Sequence, residues 1–371
     1  MLCSDCAGIS LGIYIKKYGY QGECRFCNKQ KEKILPCNEV ESFLLNAWSI
    51  YYEDADNCGS SVYEVLDSYG ISELLEDKET LELEDTNEQF LEELESDFSE
   101  KQWFPLGDYE IQGPAEMLYS WEQFCEIVKH KWRYTFPFVE DKYIFDICIS
   151  PKNILDTIAK LLSTHKCISK VAPDIPIYRG RNFENRTDAL SATAKSIGTP
   201  EAKFANKANR FSPEGIPMFY GCLDYDNVEN EIDKGENQVI GEFYTSKEIS
   251  VLDLTNLPAP PSLYDDERNM FISAIDFLHD FSRAISKDIE DDKKIDYVPT
   301  QIFTEYFRQI GLKDFNIYGI RYHSAKCFTK HNLVLFFENE DCEDEERKYS
   351  YDEKPYLLLK KITKNFAGDL I

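Results

Sequence analysis

Two cysteine pairs, Cys3-x-x-Cys6 and Cys24-x-x-Cys27, stand seventeen residues apart at the start of this 371-residue chain and constrain it more than any other feature. Each pair can offer two thiolates to one ion, and two pairs at this separation have the spacing of a four-cysteine zinc site. A closed four-thiolate site has no open coordination position, so it holds structure and does not catalyse. Cys3, Cys6, Cys24 and Cys27 are therefore the expected ligands of a structural Zn2+ in a ribbon over 1–36, with a small hairpin or helix between the knuckles and Cys37 as a spare or substitute ligand. The alternative is a set of reduced free thiols. Disulfides are disfavoured, because the start Met1-Leu2-Cys3-Ser4-Asp5-Cys6 has neither the basic nor the apolar region of a secretory signal. The other cysteines, Cys58, Cys125, Cys148, Cys167, Cys222, Cys327 and Cys342, are scattered and read as ordinary buried thiols.

The length allows two or more domains. With 43% hydrophobic and 14% aromatic residues, the chain can bury a sizeable core and is not globally disordered. No apolar run approaches a membrane span, so the expectation is a cytoplasmic protein with no membrane partner. The formal net charge of −27 argues against nucleic acid as a partner unless a local patch overrides it. One such patch exists between residues 179 and 210, where Arg179, Arg181, Arg186, Lys195, Lys203, Lys207 and Arg210 outnumber Glu184, Asp188 and Glu201. It reads either as a solvated face or as a basic wall for a small polyanion such as a pyrophosphate.

Along the chain, residues 37–170 carry helical stripes, among them Glu41–Tyr52, Val62–Leu66, Phe90–Leu94, Met117–Val128 and Ile154–Leu162, with an acidic run from Leu75 to Lys101. From residue 171 the texture changes. Ile177–Arg179, Val239–Tyr244, Ile249–Leu254, Phe315–Tyr322, His331–Phe337 and Pro355–Ile362 read as strands, and Glu267–Ile285 and Val298–Ile310 as helices. The expected fold class is α+β, in three parts: a zinc ribbon over 1–36, a helical domain over 37–170, and a mixed α+β domain over 171–371.

The densest cluster of chemistry lies between Arg210 and Glu231. Pro213 and Gly215 mark a turn, Pro217 to Leu223 reads as a buried strand, and Asp226 with Glu229 forms a capping box that opens a helix. A cation, a phenol and a carboxylate thus sit on a turn, a strand and a helix start. This stretch resembles the RES domain, a family related to the ADP-ribosyltransferases whose members consume NAD. The family pattern of an arginine, a tyrosine ten residues on and a glutamate eleven after that is met by Arg210, Tyr220 and Glu231. Tyr178-Arg179, the run from Tyr318 to Ser324 and the run from Asn332 to Phe336 match its flanking blocks, so the resemblance covers roughly residues 171–345. One departure is visible: Asn227-Val228 stands where the family usually carries a small pair such as Thr-Ala. In RES proteins with a zinc-bearing extension the helical segment is likened to HEPN domains. HEPN ribonucleases use an arginine with a histidine four to six residues on. Here His130 precedes Arg133, so the resemblance implies regulation or docking and not RNA cleavage.

The resemblance implies catalytic roles for Arg210, Tyr220 and Glu231, and places Arg179 and Ser324 as NAD contacts. Breaking the nicotinamide–ribose bond builds positive charge on the sugar while the base leaves neutral. A glutamate on a ribose hydroxyl helps more as that charge grows. Tyr220 would offer a ring face to nicotinamide and Arg210 would hold a phosphate or ribose oxygen. The expected function is an NAD-consuming enzyme, a glycohydrolase or phosphorolase with a toxin or defence role, restrained by a partner such as an antitoxin or by the amino-terminal region; an oligomer is possible. The alternatives are a protein ADP-ribosyltransferase and, in another class, a zinc-stapled adaptor that binds a nucleotide without turnover. There is no Gly-rich phosphate loop or HExxH to support a competing chemistry.

Overall fold

A computed structural model describes residues 1–49, 51–57, 68–79, 81–105, 114–138, 149–232, 235–259, 262–264, 268–287, 291–312, 315–345 and 355–366. The chain forms two compact units, Met1–Ala115 with Ala259–Asp276, and Glu116–Pro258 with Phe277–Ile371.

In the first unit, β1 (Leu2–Cys3), α1 (Ile9–Tyr18), β2 (Tyr20–Cys24) and β3 (Lys29–Leu35) build the ribbon, with sheet order β1-β3-β2 and antiparallel pairing. Asn28 turns the β2–β3 hairpin at a φ of 52°, a conformation asparagine tolerates. Next come α2 (Cys37–Trp48), β4 (Tyr52–Asp54), β5 (Tyr69–Gly70), α3 (Ile71–Glu76), α4 (Glu88–Asp97) and β6 (Gln102–Pro105). Asn87 caps α4 by accepting the Phe90 N–H at 3.3 Å. That helix is acidic outside but buries Phe90, Leu91 and Leu94. The expected boundary at residue 36 does not separate two cores. Leu2, Ala7, Leu11, Ile15 and Leu35 of the ribbon bury in one cluster with Val40, Leu44, Trp48, Phe90 and Tyr264. Nor is the following segment purely helical, since β4, β6 and β5 pair as a second small sheet. The expected stripe Val62–Leu66 lies outside the described residues, as do Cys58 and Cys148.

The second unit adds α5 (Pro114–His130), α6 (Pro151–Thr164), β7 (Ile168–Val171), β8 (Ile177–Asn182), α7 (Arg186–Leu190), α8 (Ala194–Ile197), β9 (Phe219–Cys222), α9 (Val228–Glu231), β10 (Asn237–Thr245), β11 (Ile249–Asp253), α10 (Arg268–Ser286), α11 (Val298–Gln309), β12 (Ile317–His323), β13 (His331–Leu335), β14 (Cys342–Asp344) and β15 (Leu357–Phe366). Nine strands form one mixed sheet in the order β14-β15-β10-β8-β9-β13-β12-β11-β7. Most neighbours are antiparallel; β11–β12 and β14–β15 run parallel.

Antiparallel register assigns the faces, because residues directly opposite share one. Tyr178, Cys222, Asn332 and Tyr322 stand in one row across β8, β9, β13 and β12, and Tyr220, Val334 and Ile320 in the next. On this face Ile320, Tyr322 and Val334 pack with Trp121, Phe124, Ile154, Ile158, Phe277, Phe281, Phe303 and Phe307. The opposite face buries Ile177, Phe219, Phe243, Leu333 and Leu335 against Ala189, Ala194 and Ile197. Each fully buried phenylalanine contributes about 2–3 kcal/mol. The first core explains why the division differs from the expected boundary at 170. The apolar stripe of α6 (Ile154, Leu155, Ile158, Leu162), together with α5, is satisfied by α10, α11 and the sheet of the second unit. No helix among the described residues is long and apolar enough to cross a membrane.

Candidate metal centre and candidate active site

The four expected ligand cysteines come together. Their sulfur atoms all lie within 4.8 Å of one another, and Cys3 and Cys27 are 3.9 Å apart. A tetrahedral ion with metal–sulfur bonds of about 2.3 Å needs sulfurs about 3.8 Å apart, so the cluster has the size of a four-thiolate site that could hold a metal ion. The knuckles are pre-shaped by the main chain: Ala7 N–H donates to the Cys3 carbonyl at 3.0 Å and Asn28 N–H to that of Cys24 at 2.9 Å. The first is tied down further, by Asn87 N–H on the Cys6 carbonyl and by the Thr86 hydroxyl on that of Ala7. Burial pushes the Cys24 thiol up, but N–H groups of Cys27 and Phe26 more than offset it and bring it to about 7. Cys37 lies outside the cluster, where its sulfur accepts from the Met1 amino group at 3.3 Å.

The Arg210–Tyr220 stretch is organised by the phenol. Gly215 makes the turn at a φ of 87°, open only to glycine without strain. β9 then carries Tyr220 back, and its hydroxyl meets the Ser212 hydroxyl at 2.9 Å and accepts Phe211 N–H at 3.2 Å. Burial pushes this phenol up to about 12, with the Ser212 and Phe211 donors opposing, so it stays protonated at neutral pH. Arg210 pairs with neither Glu214 nor Asp224. It donates at 2.6 Å to the Ile285 carbonyl near the end of α10, and its own carbonyl accepts from Thr300 of α11.

Glu231 sits at the end of α9, not in a second helical turn. A 3-10 turn, Tyr225–Asn227, precedes α9, and Asn227 holds the N-cap position without a side-chain cap bond. Asp226 therefore does not open the helix, and the expected capping box with Glu229 does not form, because the chain is already wound from Asp224 by the Asn227 N–H. α9 lies directly on the sheet because β8 offers Gly180 beneath it: a Cβ there would meet Val228 and Ile232 side-chain carbons at 2.7 Å. From this seat Glu231 reaches two donors on one oxygen. Ser324 Oγ donates to Oε1 at 2.5 Å and Asn332 Nδ2 donates to the same oxygen at 2.7 Å. Ser324, fully buried just beyond β12, accepts the N–H groups of Lys326 and Cys327, both at 3.2 Å. Asn227 donates to Asn332 Oδ1 at 3.1 Å.

Tyr322 links the two groups. It faces Asn332 across the strands, its ring lies 4.6 Å from that of Phe211, and burial first, then Tyr220 and Glu231, hold its phenol well above the usual range while Arg210 opposes. Ser324 and Glu231 are thus joined by a hydrogen bond, while Tyr220, Glu231 and Arg210 each act electrostatically on Tyr322. Arg179 stands apart. It leaves β8 on the opposite face, against the Phe219 ring, and donates to the main-chain carbonyls of Tyr220 at 2.5 Å and Ile197 at 2.8 Å. Burial and nearby Arg181 lower its guanidinium to about 10.

The basic stretch does not form one wall. Arg181 donates to the Ser196 carbonyl, Arg186 lies over Phe366, Lys195 pairs with Glu343 and Lys203 with Glu201. Sequence reasoning missed Asn227, Asn332 and Tyr322. Asn332 and Tyr322 lie inside the matched blocks, but only strand register shows that they stand opposite each other, and only the hydrogen bond from Asn332 ties that row to Glu231. A cavity of about 400 Å³ lined by Tyr178, Tyr225, Ile240, Glu242, Lys361 and Thr363 opens on the same sheet face.

Among known families, the HEPN/RES N-terminal domain 1 matches residues 17–142 and the RES domain matches residues 184–358. None of the curated proteins matches the chain. The RES match contains Arg210, Tyr220, Glu231, Ser324 and Asn332, and begins after Arg179. The chain carries a RES domain behind an HEPN/RES amino-terminal domain.

Proposed function

We propose that this protein cleaves NAD at the nicotinamide–ribose bond and that the four-cysteine cluster holds a structural Zn2+. The observation that carries the reading is the Glu231 carboxylate, anchored through one oxygen by Ser324 and Asn332 and within electrostatic reach of Tyr322, inside a RES domain, a family associated with NAD consumption. As the C–N bond breaks, its electron pair leaves on the nicotinamide nitrogen and the sugar becomes cationic. Glu231, through its free oxygen and a ribose hydroxyl, stabilises that cation as it forms. Leaving as a neutral base, nicotinamide needs no general acid. The Tyr220 ring, held by its tethered hydroxyl, gives the base a flat face. Arg210 holds a phosphate or ribose oxygen after exchanging the Ile285 carbonyl for the substrate.

Ser324 acts by orienting Glu231, and Arg179 acts by fixing the Tyr220 main chain, a change from the direct NAD contacts first expected of both. A nucleophile then bonds to the anomeric carbon and loses its proton. With water this is hydrolysis, with phosphate phosphorolysis, and with a protein side chain ADP-ribosyl transfer; hydrolysis or phosphorolysis is the reading we favour. NAD depletion would make the protein a toxin or defence enzyme whose activity an antitoxin or the amino-terminal region restrains.

The test is to incubate the full-length, zinc-loaded protein with NAD and measure nicotinamide release, with Glu231→Gln as control. Release by the wild type and its loss in the control support the reading. A folded wild type that binds NAD and releases nothing contradicts it and leaves an adaptor. ADP-ribose, its 1″-phosphate, or a mass gain on a co-incubated protein identifies the acceptor.

A further inference from the structure

We propose that Asn332 is a positioning residue for Glu231, itself set by Asn227, and that the pair decides which carboxylate oxygen faces the substrate. This rests on the proposed reaction for its consequence, but not for its geometry. The two donors on Glu231, Ser324 Oγ and Asn332 Nδ2, converge on Oε1. The second oxygen, Oε2, is the one left to meet a ribose hydroxyl. Donor polarity runs one way through the cluster. Ser324 has a single proton; the backbone N–H groups of Lys326 and Cys327 take its acceptor positions, and of its two acceptors the Glu231 oxygen at 2.5 Å takes that proton over Asn227 Oδ1 at 3.5 Å. An amide can present either its oxygen or its nitrogen. The Asn227 amide donates to Asn332 Oδ1, so the NH2 end of Asn332 faces Glu231. Both asparagines are buried, at 0% and 3% exposure, and in a buried site an amide turned oxygen-first toward a carboxylate would set acceptor against acceptor.

The position of each part is written in the fold. Asn332 lies on β13 opposite Tyr322 of β12 and Cys222 of β9, three central strands, and Asn227 is in the turn that leads into α9. The carboxylate is thus referenced to the sheet and not to its own four-residue helix. A side chain at the end of so short a helix has little orientation of its own.

The test replaces the donor by an acid. Asn332→Asp puts a second carboxyl beside Glu231, so the pair shares a proton in the folded state and its folded pKa lies above the unfolded value. Stability is then present at low pH and lost as pH rises through that value. The melting temperature of Asn332→Asp, relative to wild type, should fall between pH 5 and pH 8, and Glu231→Gln in the same chain should abolish that fall. The other titratable groups facing this position do not confuse the reading. Burial pushes Cys222 to about 12 and Tyr322 well above the usual range, Tyr220 stays protonated, and Arg210, Asp224 with its Lys330 partner, His323 and His331 are common to all variants.

In the same samples, nicotinamide release by Asn332→Asp at pH 8 should drop about 100-fold in kcat with KM nearly unchanged. It should recover at least about tenfold at pH 5, where the protonated acid can donate, while Asn332→Ala should show the loss without the recovery. A melting offset that is independent of pH, or that survives Glu231→Gln, overturns the inference. Because the melting cycle needs no turnover, a silent wild type would strike the proposed reaction and leave the cycle to decide this geometry. An active wild type with a flat cycle would do the reverse.

Discussion

The cysteine cluster and the Glu231 cluster solve the same problem, gathering polar groups at a point, by opposite means. The first draws on two local pairs, each only four residues long, and brings four like ligands together, an arrangement suited to a cation. The second draws on Asn227, Glu231, Ser324 and Asn332, spread over about a hundred residues, and closes on itself: every bond to Glu231 Oε1 comes from a neutral donor of the same chain. On the proposed reading, the cysteine centre is conditional on a metal and the Glu231 centre is not. The difference predicts that metal loss and site substitutions act separately on folding and on turnover.

Metal removal should give the largest effect. Chelation, or Cys24→Ser, should unfold the ribbon and expose Leu2, Leu11 and Ile15 of the shared core, seen as loss of amide protection over residues 1–48. Retention of that protection after complete metal loss would break the contrast. Glu231→Gln should come next, lowering nicotinamide release about 1,000-fold while leaving the melting temperature within about 2 °C, because the amide still accepts from Ser324 or Asn332. Tyr220→Ala and Tyr220→Phe sharpen the account further. The first, without the ring, should lose about 100-fold, while the second, keeping the ring but not the tether to Ser212 and Phe211, should lose about tenfold. The smallest effect is expected for Cys37→Ser, which should keep full metal content by mass spectrometry, since that sulfur stands outside the cluster.

The same contrast explains what could be read from the residues. CxxC spacing is local geometry, so all four cysteines were legible. The α+β class was legible too, because β8, β10, β11, β12 and β13 carry strong strand patterns. Arg210, Tyr220 and Glu231 were found by resemblance, and the fold supplies what spacing could not: the row that sets Asn332 opposite Tyr322, and Gly180, which lets α9 rest on the sheet with Val228 instead of a smaller residue. The capping box misled because Asp226 and Glu229 satisfy a helix-start pattern that the 3-10 turn at Tyr225–Asn227 overrides. The division of the cores near Ala115 was not legible, because a helical stripe such as that of α6 shows an apolar face without showing which partner covers it.

Nicotinamide release measured side by side for the zinc-loaded wild type and Glu231→Gln, each confirmed folded by its melting temperature, bears most directly on the central claim. The account predicts steady release by the first and about 1,000-fold less by the second. Equal rates in the two, with both folded and metal-loaded, would contradict it.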